Sequence, residues 1–235
     1  MRKMTKGINI RYTRAWGKSY NLMIPLLKKA DYFSNNPKLL LNFGSNYNND
    51  YVDVLNKRIE HIVDKVKMNK LFDKYNIPHP KTYYYPFNNL PKRGMCVIKL
   101  RNGSGRGKGI KFIKFRKLKN KELNNTIYIQ HYIPFEEEYR VVNFIGNYRC
   151  REKIGNDKVK NSFSCRYRNF RDEELEKYGK YVCEKFKVDF AGLDIGIYNK
   201  HFYMIEINSA CGVNENSANT LLHFLIKYYE MKYNG

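Results

Sequence analysis

The sequence predicts an α+β fold, and three observations carry that expectation. Short runs alternate apolar and polar residues, as in Ile8-Asn9-Ile10 and the stretch from Glu138 to Ile145, which is the pattern of half-buried strands. Segments from Tyr20 to Ala30 and from Asn219 to Tyr233 space their apolar residues as helices do. The two kinds of segment mix without the strict alternation of a doubly wound parallel sheet.

In order, the first strand at 8–10 leads to the helix at 20–30 and to a second strand at 39–43, ended by Gly44-Ser45. A helix is expected over 52–75. Ile77-Pro78-His79-Pro80 ends it, because proline lacks the amide hydrogen that a helix needs. Strands follow near 82–85, 95–100, 110–115 and 126–130. After Pro134 the segment 138–145 turns at Gly146-Asn147 and returns through Tyr148 to Ile154, a hairpin. A helix over 172–186, a last hairpin within 190–212 and the helix over 219–233 complete the chain. Length permits one large domain or two small ones.

Net charge is +22, from 44 Lys and Arg against 22 Asp and Glu, which invites a polyanionic partner. The chain also holds 28 Asn and 21 Tyr, a mixture that AT-rich codons favour, so the sum alone does not decide. Its distribution says more: from Lys99 to Asn120 nine residues are basic and none is acidic, which suits ATP or a nucleic-acid backbone. No apolar run reaches the ~18 residues of a membrane span, and the basic start lacks the apolar core of a secretory signal. Cys96, Cys150, Cys165, Cys183 and Cys211 are odd in number and without C-x-x-C spacing. They predict reduced thiols in a cytoplasmic setting, with neither a disulfide framework nor a zinc site.

Glycines at 103, 105, 107 and 109 stand among basic residues in VIKLRNGSGRGKGIKF. Without Cβ atoms their amides can turn toward an anion. The spacing matches neither a Walker loop nor a dinucleotide fingerprint, and Ile110 to Phe115 continues as a strand. The loop therefore reads as a flap between two strands, lying over a nucleotide, with a plain flexible hairpin tip as the alternative.

The segment GLDIGIYNKHFYMIEINSACG carries the clearest chemistry. With a three-residue turn at Asn199-Lys200-His201, Asp194 lies across from Glu206. Alternation then puts Phe202, Met204, Glu206 and Asn208 on one face and Tyr203, Ile205 and Ile207 on the other. Opposed carboxylates repel unless a cation lies between them. With Asn208 they offer three hard oxygen ligands of the kind Mg2+ takes.

Together these pieces resemble the ATP-grasp superfamily, in order from about Val63 to Gly212. DKVKMNKLFDKYNIPHP is similar to an element whose lysine contacts ATP phosphate, here Lys65. VIKLRNGSGRGKGI is similar to the strand-lysine-glycine-loop element, which implies Lys99 as the second phosphate lysine and Gly103, Ser104, Gly105 and Gly107 over the nucleotide. YIQHYIPFEEEYRVV resembles the hinge that holds adenine through backbone groups around Gln130, His131 and Ile133. Its ribose-binding carboxylate falls at Glu138, with Glu136 and Glu137 as alternatives. The acidic hairpin supplies Asp194, Glu206 and Asn208 as metal ligands. Of the cations after the hinge, Arg149, Arg151, Lys153 and Arg166, the resemblance points first to Arg151 and Arg166 as catalytic. Cys211 stands where the family often has proline.

The resemblance implies an ATP-grasp fold in which two α+β subdomains, 57–131 and 132–235, grip ATP, behind a shortened N-terminal segment over 1–56. That front end looks most like uncharacterised bacteriophage ATP-grasp proteins. The implied activity is an ATP- and Mg2+-dependent ligation of a carboxylate to an amine or other nucleophile through an acyl phosphate, in the cytoplasm. The acceptor is left open among peptide, protein and nucleic acid. A phosphotransferase using the same site and a basic nucleic-acid-binding protein on this scaffold are the alternatives. The scattered histidines and the Tyr83-Tyr84-Tyr85 run read as packing or surface residues.

Overall fold

Two apolar strands joined by a helix open the chain, and the computed structural model describes residues 7–12, 17–44, 52–57, 59–102, 109–118, 123–155 and 165–234. The elements begin with β1 (Ile8–Tyr12), α1 (Gly17–Lys29), β2 (Leu39–Phe43), β3 (Asp53–Leu55), α2 (Glu60–Val63) and α3 (Lys65–Lys74). Next come β4 (Thr82–Tyr83), β5 (Met95–Leu100), β6 (Lys111–Lys114), β7 (Ile127–His131), β8 (Glu137–Phe144) and β9 (Asn147–Ile154). The chain continues with β10 (Arg166–Phe170), α4 (Glu173–Phe186), β11 (Phe190–Tyr198), β12 (His201–Asn208) and α5 (Glu215–Tyr233).

Strands β1, β2 and β3 form a parallel sheet in that order. Every residue of β2 is buried, as befits a parallel strand covered on both faces. The cover includes the far end of the chain. Helix α5, capped by reciprocal Asn214 and Ser217 bonds, shares one core with α1, β1 and β2 through Leu221, Leu225 and Tyr229. The Gly7 amide donates to the Tyr229 hydroxyl at 3.1 Å, and Lys232 pairs with Asp53 at 2.9 Å.

The helix expected over 52–75 is interrupted. Residues 53–55 pair with β2 instead, and Asn56 then turns the chain in the left-handed region, with φ 55°. Its buried amide donates to Phe190 C=O at 2.7 Å and accepts from the Asp189 and Phe190 amides. Asp64 breaks the remaining helix in two, because its side chain caps α3 by accepting from Val66 and Lys67. Helix α5 starts at Glu215, four residues before the sequence places it, since Asn214 is the cap.

A five-stranded antiparallel sheet has the order β10-β9-β8-β11-β12, and a four-stranded one the order β4-β7-β5-β6. One face of the larger sheet packs on α4 and α3 through Val141, Leu193, Ile195, Met204 and Ile207. The hairpin of β8 and β9 turns at Ile145-Gly146, one residue before the expected place, with φ of 52° and 84°. Among the described residues, no helix is long and apolar enough to cross a membrane.

Candidate active site

The face of the larger sheet away from α4 carries its charge. Register sets the arrangement: Arg140 on β8 pairs with Asp194 on β11 to one side and with Arg151 on β9 to the other. Asp194 pairs in turn with Glu206 on β12, and Gly192 with Asn208.

The Asp194-Glu206 pairing comes about differently from the sequence expectation. The turn has two residues, Asn199 and Lys200, both at positive φ, so Tyr198 pairs with His201 and Ile195 with Met204. Ile205 is then an extra residue, a bulge, and the register shifts by one before Glu206. Side-chain parity reverses across it. Met204 joins Leu193 and Ile207 in the core, and Tyr203 takes the face shared with Asp194 and Glu206. The assignment of Phe202 and Met204 to the carboxylate face is thereby corrected.

Both carboxylates are held by protein cations. Arg140 grips Asp194 through two bonds of 2.8 Å, and Lys153 Nζ lies 2.8 Å from Asp194 Oδ1. Burial pushes the Asp194 carboxyl up, but Arg140 and then Lys153 outweigh it and hold it well below the ordinary range. Lys65, at the start of α3, lies 2.6 Å from Glu206 Oε1 and donates to Ile207 C=O at 3.0 Å. Burial raises the Glu206 carboxyl, and Lys65 reverses the shift. The α3 start is itself anchored, because Arg101 on the far side of β5 grips its cap Asp64 at 2.7 Å.

The smaller sheet turns a second face toward this cluster. Lys99 on β5 and Tyr128 on β7 are register partners, as are Val97 and Gln130. Burial pushes the Lys99 ammonium down, and Glu206, Lys65, Glu138 and Asp194 all act on it. Among the described residues it has no carboxylate within 4 Å. Gln130 is buried, and a hydrogen-bond chain fixes its amide: Asn69 donates to Lys65 C=O at 2.7 Å, and Gln130 Nε2 donates to Asn69 Oδ1 at 2.9 Å. Among the described residues Gln130 Oε1 is buried without a hydrogen-bond partner, an acceptor open to a donor.

The structure thus brings together Lys65, Lys99, Gln130, Glu138, Arg151, Asp194, Glu206 and Asn208. Glu138 stands opposite Gly196 and 3.9 Å from Lys153. His131 turns to the other face of β7, 3.0 Å from the Tyr83 hydroxyl. Ile133 follows β7 and accepts at its C=O from Phe135. Arg166 is not brought in: it pairs with Ile154, so the neighbouring Tyr167, not Arg166, shares the face of Lys153. Gly103, Ser104, Gly105 and Gly107 lie outside the described residues.

Sequence reasoning missed Arg140 and passed over Lys153 and Asn69. The signal for Arg140 was present: it stands two residues after Glu138 on one strand, hence on one face. Among the described residues no three His, Cys, Asp or Glu side chains form a metal cage. The candidate set is two cross-strand carboxylates and the Asn208 amide, an all-oxygen set whose chemistry fits Mg2+ completed by water and phosphate oxygens.

A model of the ATP-grasp domain matches residues 62–211. No curated protein matches the sequence. Among solved structures, D-alanine–D-alanine ligase from Bacillus anthracis in complex with ATP is similar at a TM-score of 0.68 and 16% identity, covering 97% of this chain and 99% of that one. The ATP-grasp ligase PsnB, in complex with a minimal precursor, Mg and ADP, gives 0.65 at 11% identity, covering 95% and 99%. A RiPP-associated ATP-grasp ligase of Chryseobacterium gregarium, with ADP and a leader and core peptide, gives 0.54 at 18% identity, covering 73% and 63%. With the domain model spanning well over half of the sequence and the fold shared along nearly its whole length, the chain belongs to the ATP-grasp family.

Proposed function

We propose that this chain is an ATP- and Mg2+-dependent ligase that joins a carboxylate to an amine or other nucleophile. A substrate carboxylate oxygen attacks the γ-phosphorus of ATP and ADP leaves. The nucleophile then attacks the acyl carbon, loses its proton, and phosphate departs. The observation that carries the reading is the charge balance of the site. Lys65, Lys99, Arg140, Arg151 and Lys153 face Glu138, Asp194 and Glu206, and the excess of cations suits a polyphosphate.

In this reading Lys65 and Lys99 hold phosphate oxygens, and among the described residues Lys99, like Arg151, has no carboxylate within 4 Å. Asp194, Glu206 and Asn208 hold Mg2+, which when bound neutralises phosphate charge and polarises the transferred group. Arg140 and Lys153 fix the Asp194 carboxylate. Gln130 Oε1 and hinge backbone near His131 and Ile133 receive the adenine, and Glu138 the ribose. Arg151, on the same face, meets the acyl phosphate. The glycine loop with Gly103, Ser104, Gly105 and Gly107 covers the phosphates. The complexes of PsnB with a precursor peptide and of the Chryseobacterium gregarium ligase with a leader and core peptide support a peptide or protein among the substrates. The bacteriophage resemblance and a cytoplasmic site of action belong to the same proposal.

The test is thermal stability with Mg2+ and a non-hydrolysable ATP analogue, for wild type and Glu206→Gln. Ligand at ~100 times its Kd adds about 2.7 kcal/mol, a rise of roughly 5–10 °C for a chain of this size. The variant should lose the Mg2+-dependent part. No shift at saturating nucleotide overturns the reading, and ADP release without any acceptor marks phosphoryl transfer alone.

A further inference from the structure

The 48 residues from Lys74 to Lys121 hold 14 Lys and Arg and no Asp or Glu, whereas the other 187 residues hold 30 and 22. Codon bias accounts for many lysines but does not remove acids, whose codons are GAA and GAT among others. This stretch supplies β4, β5 and β6, three strands of the smaller sheet.

Topology gathers its cations along one end of that sheet. Antiparallel pairing brings the start of β4, the end of β7, the start of β5 and the end of β6 side by side. Thr82 pairs with Gln130, Cys96 with His131, and Met95 with Lys114. Beyond the strands, the His131 amide donates to Lys81 C=O at 2.9 Å and the Phe115 amide to Gly94 C=O at 3.1 Å. Lys81, Lys92, Arg93, Lys114, Arg116 and Lys117 therefore flank one rim, and all six are exposed.

Among the described residues none of the six has a carboxylate within 4 Å, whereas on α4 Lys177 and Lys180 pair with Glu173 and Glu184. Four strands span about 14 Å at the usual ~4.8 Å spacing, so the positive charge is dense. Its field reaches the fold: burial, and then Lys81, hold the His131 imidazole below its ordinary range.

We propose that this rim binds a single-stranded nucleic acid along its phosphodiester backbone. A charge on every repeat unit matches six unpaired cations across so short a span, which an ordinary acidic peptide segment does not. Tyr85, 58% exposed on the connection from β4 to β5, offers a ring face to a base. The rim's Lys92, Arg93, Arg116 and Lys117 lie at the opposite end of β5 from Lys99, about 14 Å away at the rise of a strand, and none of the four is a residue of the hinge that follows β7. Binding there is separable from the ligase reading and does not depend on it.

The experiment is fluorescence anisotropy of a labelled short single strand against salt, for wild type and for a variant carrying Lys92→Gln, Arg93→Gln, Arg116→Gln and Lys117→Gln. Labelled polyglutamate and a duplex, each matched in charge number to the single strand, are the comparison ligands. Six phosphate contacts at ~0.7 each give a log-log slope of about −4, or about 300-fold weaker binding between about 50 and 200 mM salt. The variant should bring the slope to about −1.4 while its ATP-analogue stabilisation stays as in wild type. Polyglutamate or duplex binding as tight as the single strand overturns the proposal in favour of that partner. Unchanged binding by the variant overturns it in favour of diffuse net charge, and absence of binding overturns it outright. Rim-dependent binding in a protein that no ATP analogue stabilises would sink the ligase reading and leave this one standing.

Discussion

Asp194 with its two cations is the most exacting test of the site's construction. Its side chain is 9% exposed, that of Arg140 16% and that of Lys153 3%. Replacing Arg140 by Met keeps the volume and removes the two-bond grip, leaving the carboxylate with Lys153 alone. Breaking a buried pair by removing one partner costs about 3–5 kcal/mol. Since one cation remains, about 3 kcal/mol is expected, a fall of roughly 6–12 °C in Tm. Asp194→Asn leaves buried Arg140 without its carboxylate and Lys153 with Glu138 alone, at 3.9 Å, and about 5 kcal/mol is expected. The double variant removes part of that conflict, so its loss should fall short of the sum by about 1–3 kcal/mol.

The pH dependence has a definite sign. The Asp194 carboxyl is depressed in the folded state from an ordinary value of 3.8. Its contribution is present above 3.8 and disappears as pH falls through the lower folded value. The stability difference between wild type and Asp194→Asn should therefore hold between pH 7 and pH 5 and shrink below 3.8, while acids remote from the site, such as Asp64, cancel. Urea unfolding at pH 7, 5 and 3 measures it. A difference under ~1 kcal/mol at pH 7, or one that survives acidification unchanged, refutes the account of Asp194 as an ionised, doubly held group.

Three further outcomes are expected. A Cβ on Gly196 would lie 2.4 Å from the Phe135 ring, so Gly196→Ala should cost about 1–3 kcal/mol in urea unfolding, and Phe135→Leu in the same chain should restore part of it. Asn69→Ala removes the Oδ1 acceptor of Gln130 Nε2, which predicts a loss of about 1–3 kcal/mol and a weaker ATP-analogue shift; an unchanged shift would remove the Gln130 chain from the adenine site. Burial pushes the thiols of Cys96 and Cys211 up to about 11 and those of Cys150 and Cys183 up to about 12, so a thiol reagent near pH 8 should label half-buried Cys165 first and the other four only on unfolding.

Much of this was legible in the sequence because it rests on periods and register. The strands at 39–43, 95–100 and 138–144 follow from alternation and apolar runs, and the cross-strand meeting of Asp194 and Glu206 follows from counting outward from a turn. What was not legible came from single side chains that override local pattern. Residues 53–55 have a helical look, yet β2 is fully buried and needs a neighbour on its open edge, and Asn56 with its four-way amide bonding stops any helix there. Asp64 reads as one more polar residue in a helix until Arg101, 37 positions on, is seen to hold it as a cap. Arg140 was hidden because its partner lies 54 residues away, and only the β8-β11 register joins them.

The hairpin over 190–208 shows how a correct pairing can rest on a wrong route. A three-residue turn and a two-residue turn followed by a bulge both place Glu206 opposite Asp194, because each adds one residue to the same arm. They differ in what lies between. A regular strand would carry Met204 on the carboxylate face and leave Tyr203 in the core; the bulge at Ile205 sends Met204 inward and Tyr203 out. The extra residue thus lets one strand serve two neighbours with opposite needs. Met204 seals the core against β11 and donates its amide to Pro78 C=O at 2.7 Å, while two residues later Glu206 faces Lys65. Were Ile205 paired regularly with Asp194, Glu206 would fall opposite Leu193 on the apolar face, among core side chains. The position of the site's second carboxylate is therefore fixed by an irregularity in the backbone as much as by the residue itself.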